Sequence, residues 1–218
     1  MATYDLEEQE QISELKTWWN QHGNLVVALL AAGAIAAVGY QGWNWYQRNQ
    51  TAQASAVYSA LQKAVSERDA RKAREVTGEL IDKYAGTTYA GLAALVSAKV
   101  QYETGDARTA KVQLAWAAEN AKDQELRDLA RLRLAAVLTE EKAYDDALKQ
   151  LASEPLAPFA ARYAESRGDV LAAQGKAADA KAAYEAALAR LDGAEKNSVG
   201  RGSVGRERVR IKLEALGE

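Results

Sequence analysis

The chain has 218 residues, with 28 Lys and Arg against 30 Asp and Glu, a single His, two Pro, no Cys and 47 Ala. So much Ala beside so little Pro predicts helices nearly throughout, and the absence of Cys excludes a disulfide scaffold, a thiolate metal site and a cysteine nucleophile. A lone His22 excludes a His-based zinc site or catalytic triad, and a net charge of −2 supplies no global basic field for nucleic acid.

The first element is acidic and then charge-free. Lys16 and Arg48 face Asp5, Glu7, Glu8, Glu10 and Glu14 within residues 1–50, and Thr17–Gln47 holds no Asp, Glu, Lys or Arg. Leu25–Tyr46 would span about 33 Å as a helix, against a hydrocarbon core of about 30 Å. Trp18 and Trp19 stand before it, and Trp43, Trp45 and Tyr46 after it. Such rings favour the headgroup zones, so these five residues are the expected interface anchors in membrane lipid. The expected division is an acidic tail at 1–22, a transmembrane helix at 23–47 and a helical domain at 48–218.

Two other readings of this segment are weaker. A cleaved signal peptide wants a basic leader, whereas this one is acidic and long; Ala34-Ile35-Ala36 resembles a cleavage site, but aromatics follow it. A buried core helix rarely keeps every side apolar with Trp at both ends. Ala28, Ala32 and Ala36 would let a neighbouring helix approach. Lys16 and Arg48 flank opposite ends, so the positive-inside rule chooses no orientation; a short acidic tail can stay inside while a long domain crosses.

From about Thr51 the pattern becomes amphipathic helices of roughly 12–17 residues joined by short connections. Breaks are expected at Gly86-Thr87-Thr88, Gly105-Asp106, Lys122-Asp123, Lys142-Ala143 and Gly175-Lys176, and around Pro155 and Pro158. Internal alignment places Ala73, Ala110, Ala147 and Ala180 in register, 37, 37 and 33 residues apart. Five residues before each stand Arg68, Gly105, Lys142 and Gly175. Four after stand Thr77, Leu114, Leu151 and Tyr184, and seven after stand Leu80, Ala117, Glu154 and Ala187. A turn residue, a small residue and a larger one a turn later describe a helix–turn–helix unit.

This pattern resembles tetratricopeptide repeats. Ala98–Ala117, with Gly105 and Ala110, and Gly168–Ala187, with Gly175, Ala180 and Tyr184, fit best. Arg68 and Lys142 replace the turn glycine in the other two, Glu154 replaces a small residue, and the first-helix aromatic is missing. An irregular bundle with accidental alanines is the competing reading. The fold class expected is therefore all-α, a single N-terminal transmembrane helix followed by a tetratricopeptide-like α-solenoid.

At the end of the chain, Asp192–Gly205 reads as a polar loop containing the duplication Ser198-Val199-Gly200-Arg201 and Ser203-Val204-Gly205-Arg206. Arg206–Leu216 reads as a capping helix with Val209, Leu213 and Leu216 inward. Arg206, Arg208, Arg210 and Lys212 are expected on a solvated face, with Glu207 and Glu214 among them.

No phosphate loop, carboxylate pair with a pocket signature or metal-ligand spacing appears, so neither an enzyme nor a cofactor, metal or small-molecule substrate is expected. His22 reads as an interfacial structural residue. If the first helix of each pair lines the concave side, Leu92, Leu95, Lys99, Tyr102, Leu129 and Leu132 are the candidate partner-binding residues, with ordinary core as the competing reading for the leucines.

The order of parts resembles a known family. Asp5-Leu6-Glu7-Glu8-Gln9-Glu10, Leu15-Lys16-Thr17-Trp18-Trp19, one apolar helix, Trp43-Asn44-Trp45-Tyr46 and Ala-rich repeats look like the YfgM-type ancillary subunits of the SecYEG translocon of Gram-negative bacteria. The resemblance implies a single-pass inner-membrane protein with a cytoplasmic N-terminus and a periplasmic repeat domain. It also implies two partners, SecYEG and a PpiD-type periplasmic chaperone, and assistance to exported proteins. A structural scaffold in envelope assembly or division, without a role in export, is the alternative.

Overall fold

Nothing between Tyr4 and Ser66 interrupts a helix: there is no Pro, and the glycines at 23, 33, 39 and 42 are isolated among good helix formers. A computed structural model describes residues 4–195 and 203–217. Among them it is built of helices alone: α1 (Tyr4–Ser66), α2 (Ala70–Tyr84), α3 (Thr88–Glu103), α4 (Ala107–Asn120), α5 (Gln124–Glu140), α6 (Tyr144–Gln150), α7 (Ala157–Ala173), α8 (Ala177–Glu195) and α9 (Ser203–Glu214). The chain divides into two units, Met1–Gln50 and Thr51–Glu218.

In the first unit, α1 carries its apolar side chains uncovered. Leu30, Ile35 and Val38 are 69%, 74% and 73% exposed. Water opposes so much contiguous apolar surface, and the helix is long and apolar enough to cross a membrane. At one end of the apolar run Trp18 stacks on His22, ring centroids 5.3 Å apart, and the Trp19 indole lies against Gly23. At the other, Trp43 and Tyr46 are neighbours with centroids 6.1 Å apart.

The second unit is organised by one turn used four times. Arg68, Gly105, Lys142 and Gly175 all take positive φ, at 58°, 89°, 62° and 76°. Each left-handed residue closes the same capping bond, in which the next amide reaches back five residues. Asp69 N donates to Ala64 O at 2.9 Å, Asp106 N to Gln101 O at 2.8 Å, Ala143 N to Leu138 O at 2.9 Å and Lys176 N to Leu171 O at 2.9 Å. Asp69 and Asp106 then cap the next helix, accepting from Lys72 N and Thr109 N through their side chains. The two units that lack a turn glycine thus keep its conformation, at the steric cost of a Cβ in the left-handed region.

Packing follows the same register. Ala73, Ala110, Ala147 and Ala180 are fully buried, and Thr77, Leu114, Leu151 and Tyr184 are buried one turn later. At Gly168 α7 packs tightly on α8: a Cβ there would lie 2.4 Å from the Tyr184 ring. Leu80, Ala117 and Ala187 are buried too, but Glu154 is exposed. The reason is that α6 stops after seven residues. The chain then passes Pro155 and starts α7 with Pro158 in its first turn, where a missing N–H is tolerated. Asp128 holds this irregular stretch. Fully buried, it accepts from Leu156 N at 2.9 Å, and the Tyr163 hydroxyl donates to its backbone oxygen at 3.2 Å.

The end of the chain departs from expectation. α8 extends to Glu195 and α9 begins at Ser203, so the expected 192–205 loop is helical at both margins. Residues 196–202, with the first copy of the duplication, lie outside the described residues. The cationic face is also corrected. Val209 is fully buried, and Arg208 and Lys212, four residues apart on one face of α9, both reach α7. Arg208 donates through Nε and Nη2 to Glu165, each at 2.6 Å, and Lys212 Nζ donates to Glu165 and Asp169, both at 2.8 Å. Arg206 pairs with Asp192 at 3.3 Å; Arg210 stays exposed. Tyr184 completes the cluster by donating to Asp169 at 2.8 Å.

Burial opposes charge on Glu165, but the hydrogen bonds and charges of Arg208 and Lys212 outweigh it and hold its carboxyl below the usual range. A folded value below the unfolded one means that this stabilisation is complete at neutral pH and is lost as pH falls through and below the ordinary Glu range. Glu165→Gln should cost about 2 kcal/mol, lower the thermal midpoint by about 4–8 °C and flatten the acid limb of a stability–pH profile. Lys142→Gly should act oppositely, raising stability by about 0.5–1 kcal/mol as the Cβ strain is relieved. Thermal denaturation followed by circular dichroism checks both.

Candidate interaction groove

Helical spacing places Lys99, Tyr102 and Glu103 on one face of α3, and Arg133, Ala136 and Glu140 on one face of α5. The two faces border a hollow of about 400 Å³. A second hollow of about 220 Å³ lies between α5 and α7, with Thr139, Ser166 and Asp169 in its lining. Ala136 and Glu140 border both, so the two hollows adjoin along the first helices of successive pairs.

The groove is held from within. The Tyr102 hydroxyl donates to the Glu140 carboxylate, which ties α3 to α5 across the hollow. That hydrogen bond, with burial and the Glu140 charge adding to it, pushes the Tyr102 phenol above its ordinary range. Lys99 pairs with Glu103 along α3 at 3.7 Å, and Arg133 donates to the Leu95 carbonyl at 3.3 Å. The lining offers two cations, two carboxylates and a phenol over an apolar floor of Ala98, Leu114 and Val137. Such a surface offers hydrogen-bond donors, acceptors and charges of both signs. Among the described residues no group of three or more His, Asp or Glu could hold a metal ion.

The residues expected from sequence separate into three sets. Lys99 and Tyr102 line the hollow; Tyr102 is 37% exposed. Leu95 and Leu132 are buried in core clusters, Leu95 with Ala98, Leu114 and Leu134, and Leu132 with Leu151 and Tyr163, so neither presents a surface to a partner. Leu92 and Leu129 are half-buried, and Leu129 packs on the same core as Leu95. The expected list lacked Arg133 and Glu140. The repeat could have found Glu140, because the period of 37 that aligns Ala110 with Ala147 also carries Glu103 onto Glu140. Trp18, Trp19, Trp43, Trp45 and Tyr46 are all exposed on α1.

The tetratricopeptide repeat-like domain family matches residues 16–218. The ancillary SecYEG translocon subunit of Neisseria gonorrhoeae is 32% identical over 215 residues, covering 97% of this chain and 98% of the relative. The protein of the same name from Haemophilus influenzae is 32% identical over 184 residues, covering 84% and 90%. That from Escherichia coli K12 is 30% identical over 184 residues, covering 83% and 87%. No solved structure matches the chain.

Tyr102→Phe removes the α3–α5 bond at a half-exposed site. It should lower stability by less than about 1 kcal/mol, and an ultraviolet pH titration should lose one of the tyrosines that ionise above the ordinary range.

Proposed function

Because the chain belongs to the family of ancillary SecYEG translocon subunits, built on a tetratricopeptide repeat-like domain, we propose that it is a membrane-tethered interaction module working beside the translocon. The family is not one of enzymes, and the reading assigns the protein no chemistry of its own. The observation that carries it is the end-to-end match with the Neisseria relative, which includes the apolar helix as well as the repeats.

In this reading residues 1–22 lie in the cytoplasm, residues 23–47 cross the inner membrane, and residues 48–218 lie in the periplasm. The exposed apolar side chains of α1 support the crossing. Trp18 and Trp19 anchor one interface, and Trp43, Trp45 and Tyr46 the other. A tether of this kind raises the effective concentration of the repeat domain for neighbours in the same bilayer. The partners are SecYEG and a membrane-anchored chaperone of the PpiD type, and the task is to assist exported proteins as they emerge. Lys99 and Tyr102, with Arg133 and Glu140, form the contact surface. The mixed charge of the α3–α5 hollow supports an adaptable polypeptide contact rather than a single small ligand.

Photo-crosslinking from positions 99 and 102 in intact membranes tests the contact. Translocon subunits or the chaperone should be recovered; recovery of neither, with altered cell shape on loss of the protein, would favour an envelope scaffold. Protease added to spheroplasts should digest the repeat domain, and complete protection would reverse the topology.

A further inference from the structure

The third helix pair is incomplete. α6 has 7 residues where α4 has 14, a shortfall of about two turns, or ~10 Å of helix. In the second pair the corresponding turns are present, and their Ala117 and Ala118 are buried in one cluster with Ala130 and Leu134 of α5. In the third pair a cleft of about 600 Å³ opens beyond Leu151, between the connection to α7, α7 itself and α8. Its helical walls carry small side chains, Ala160 and Ala164 from α7 and Ala183 and Ala186 from α8. Walls of this kind let a helix come close, as the buried alanines do elsewhere in the stack.

The cleft also carries charge. Arg167 and Arg190 border it, each donating to a backbone carbonyl: Arg167 to Leu151 O at 2.8 Å and Arg190 to Ala186 O at 3.1 Å. Among the described residues neither pairs with a carboxylate, in contrast to Arg208 and Lys212, which are matched by Glu165 and Asp169. Glu154 is the one acid in the lining.

We propose that this cleft is a docking site for a helical segment of another protein that presents small side chains and carboxylates on one face. The docked helix takes the place of the turns that α6 lacks. It covers the alanine walls and neutralises two guanidiniums that hold only carbonyls. The site is distinct from the α3–α5 hollow and does not depend on its occupant.

The test uses the full chain in detergent micelles and two fluorescent, stapled alanine-rich helices. One carries Glu at every fourth position, and its counterpart carries Lys there. Anisotropy should show the acidic helix binding, more weakly as salt rises, and the Lys helix not binding. Arg167→Ala with Arg190→Ala should weaken binding about tenfold or more. Ala183→Leu with Ala186→Leu fills the cleft and leaves both charges; it should keep the thermal midpoint and abolish binding. Binding of neither helix, equal binding of both, or acidic binding untouched by the two double variants would overturn the proposal.

Discussion

Closure of one helix onto the next through a left-handed turn is the constraint on which the repeat domain rests. At each of four turns a residue with positive φ points the following amide back at a carbonyl five residues earlier. That bond satisfies a helix end and aims the next helix at the same time. Fully buried alanines then let each second helix lie against its neighbours. Two turns do this with glycine and two with Arg68 and Lys142, so the geometry is imposed by the stack rather than by local preference alone.

The third pair shows what happens when one part of the pattern fails. Ala147 and Leu151 are in place, but a Pro-bearing connection follows and α6 ends early. Buried Asp128 takes over, bonding the Leu156 amide and receiving the Tyr163 hydroxyl. One carboxylate thereby does part of the work that two helical turns do in the neighbouring pair, and a cleft opens beside the connection. Further on, Glu165 and Asp169 bind α9 through Arg208 and Lys212, so the polar clusters stand where the alanine pattern gives out.

The apolar helix and the candidate contact surface rest on different physics in different units. In the first, absence of charge is the property that matters, because an uncovered apolar helix is at odds with water and suited to lipid. In the second, exposed polar groups at the edges of an alanine-rich core carry the candidate contacts. Tyr102 and Glu140 also hold the fold together, since they bridge α3 and α5 where they border the hollow.

The sequence alone was sufficient for the helical class, the single apolar span, the repeat register and the turn positions. Those follow from composition and spacing, which act locally: Ala73, Ala110, Ala147 and Ala180 could be aligned with no knowledge of their neighbours. It could not separate Leu95 and Leu132 from Lys99 and Tyr102, because all four share helices that face core on one side and solvent on the other. Nor could it tell that Arg208 and Lys212 meet Glu165, more than 40 residues away. Ion pairs and hollows between helices depend on which faces meet in three dimensions, and only the tertiary packing decides that.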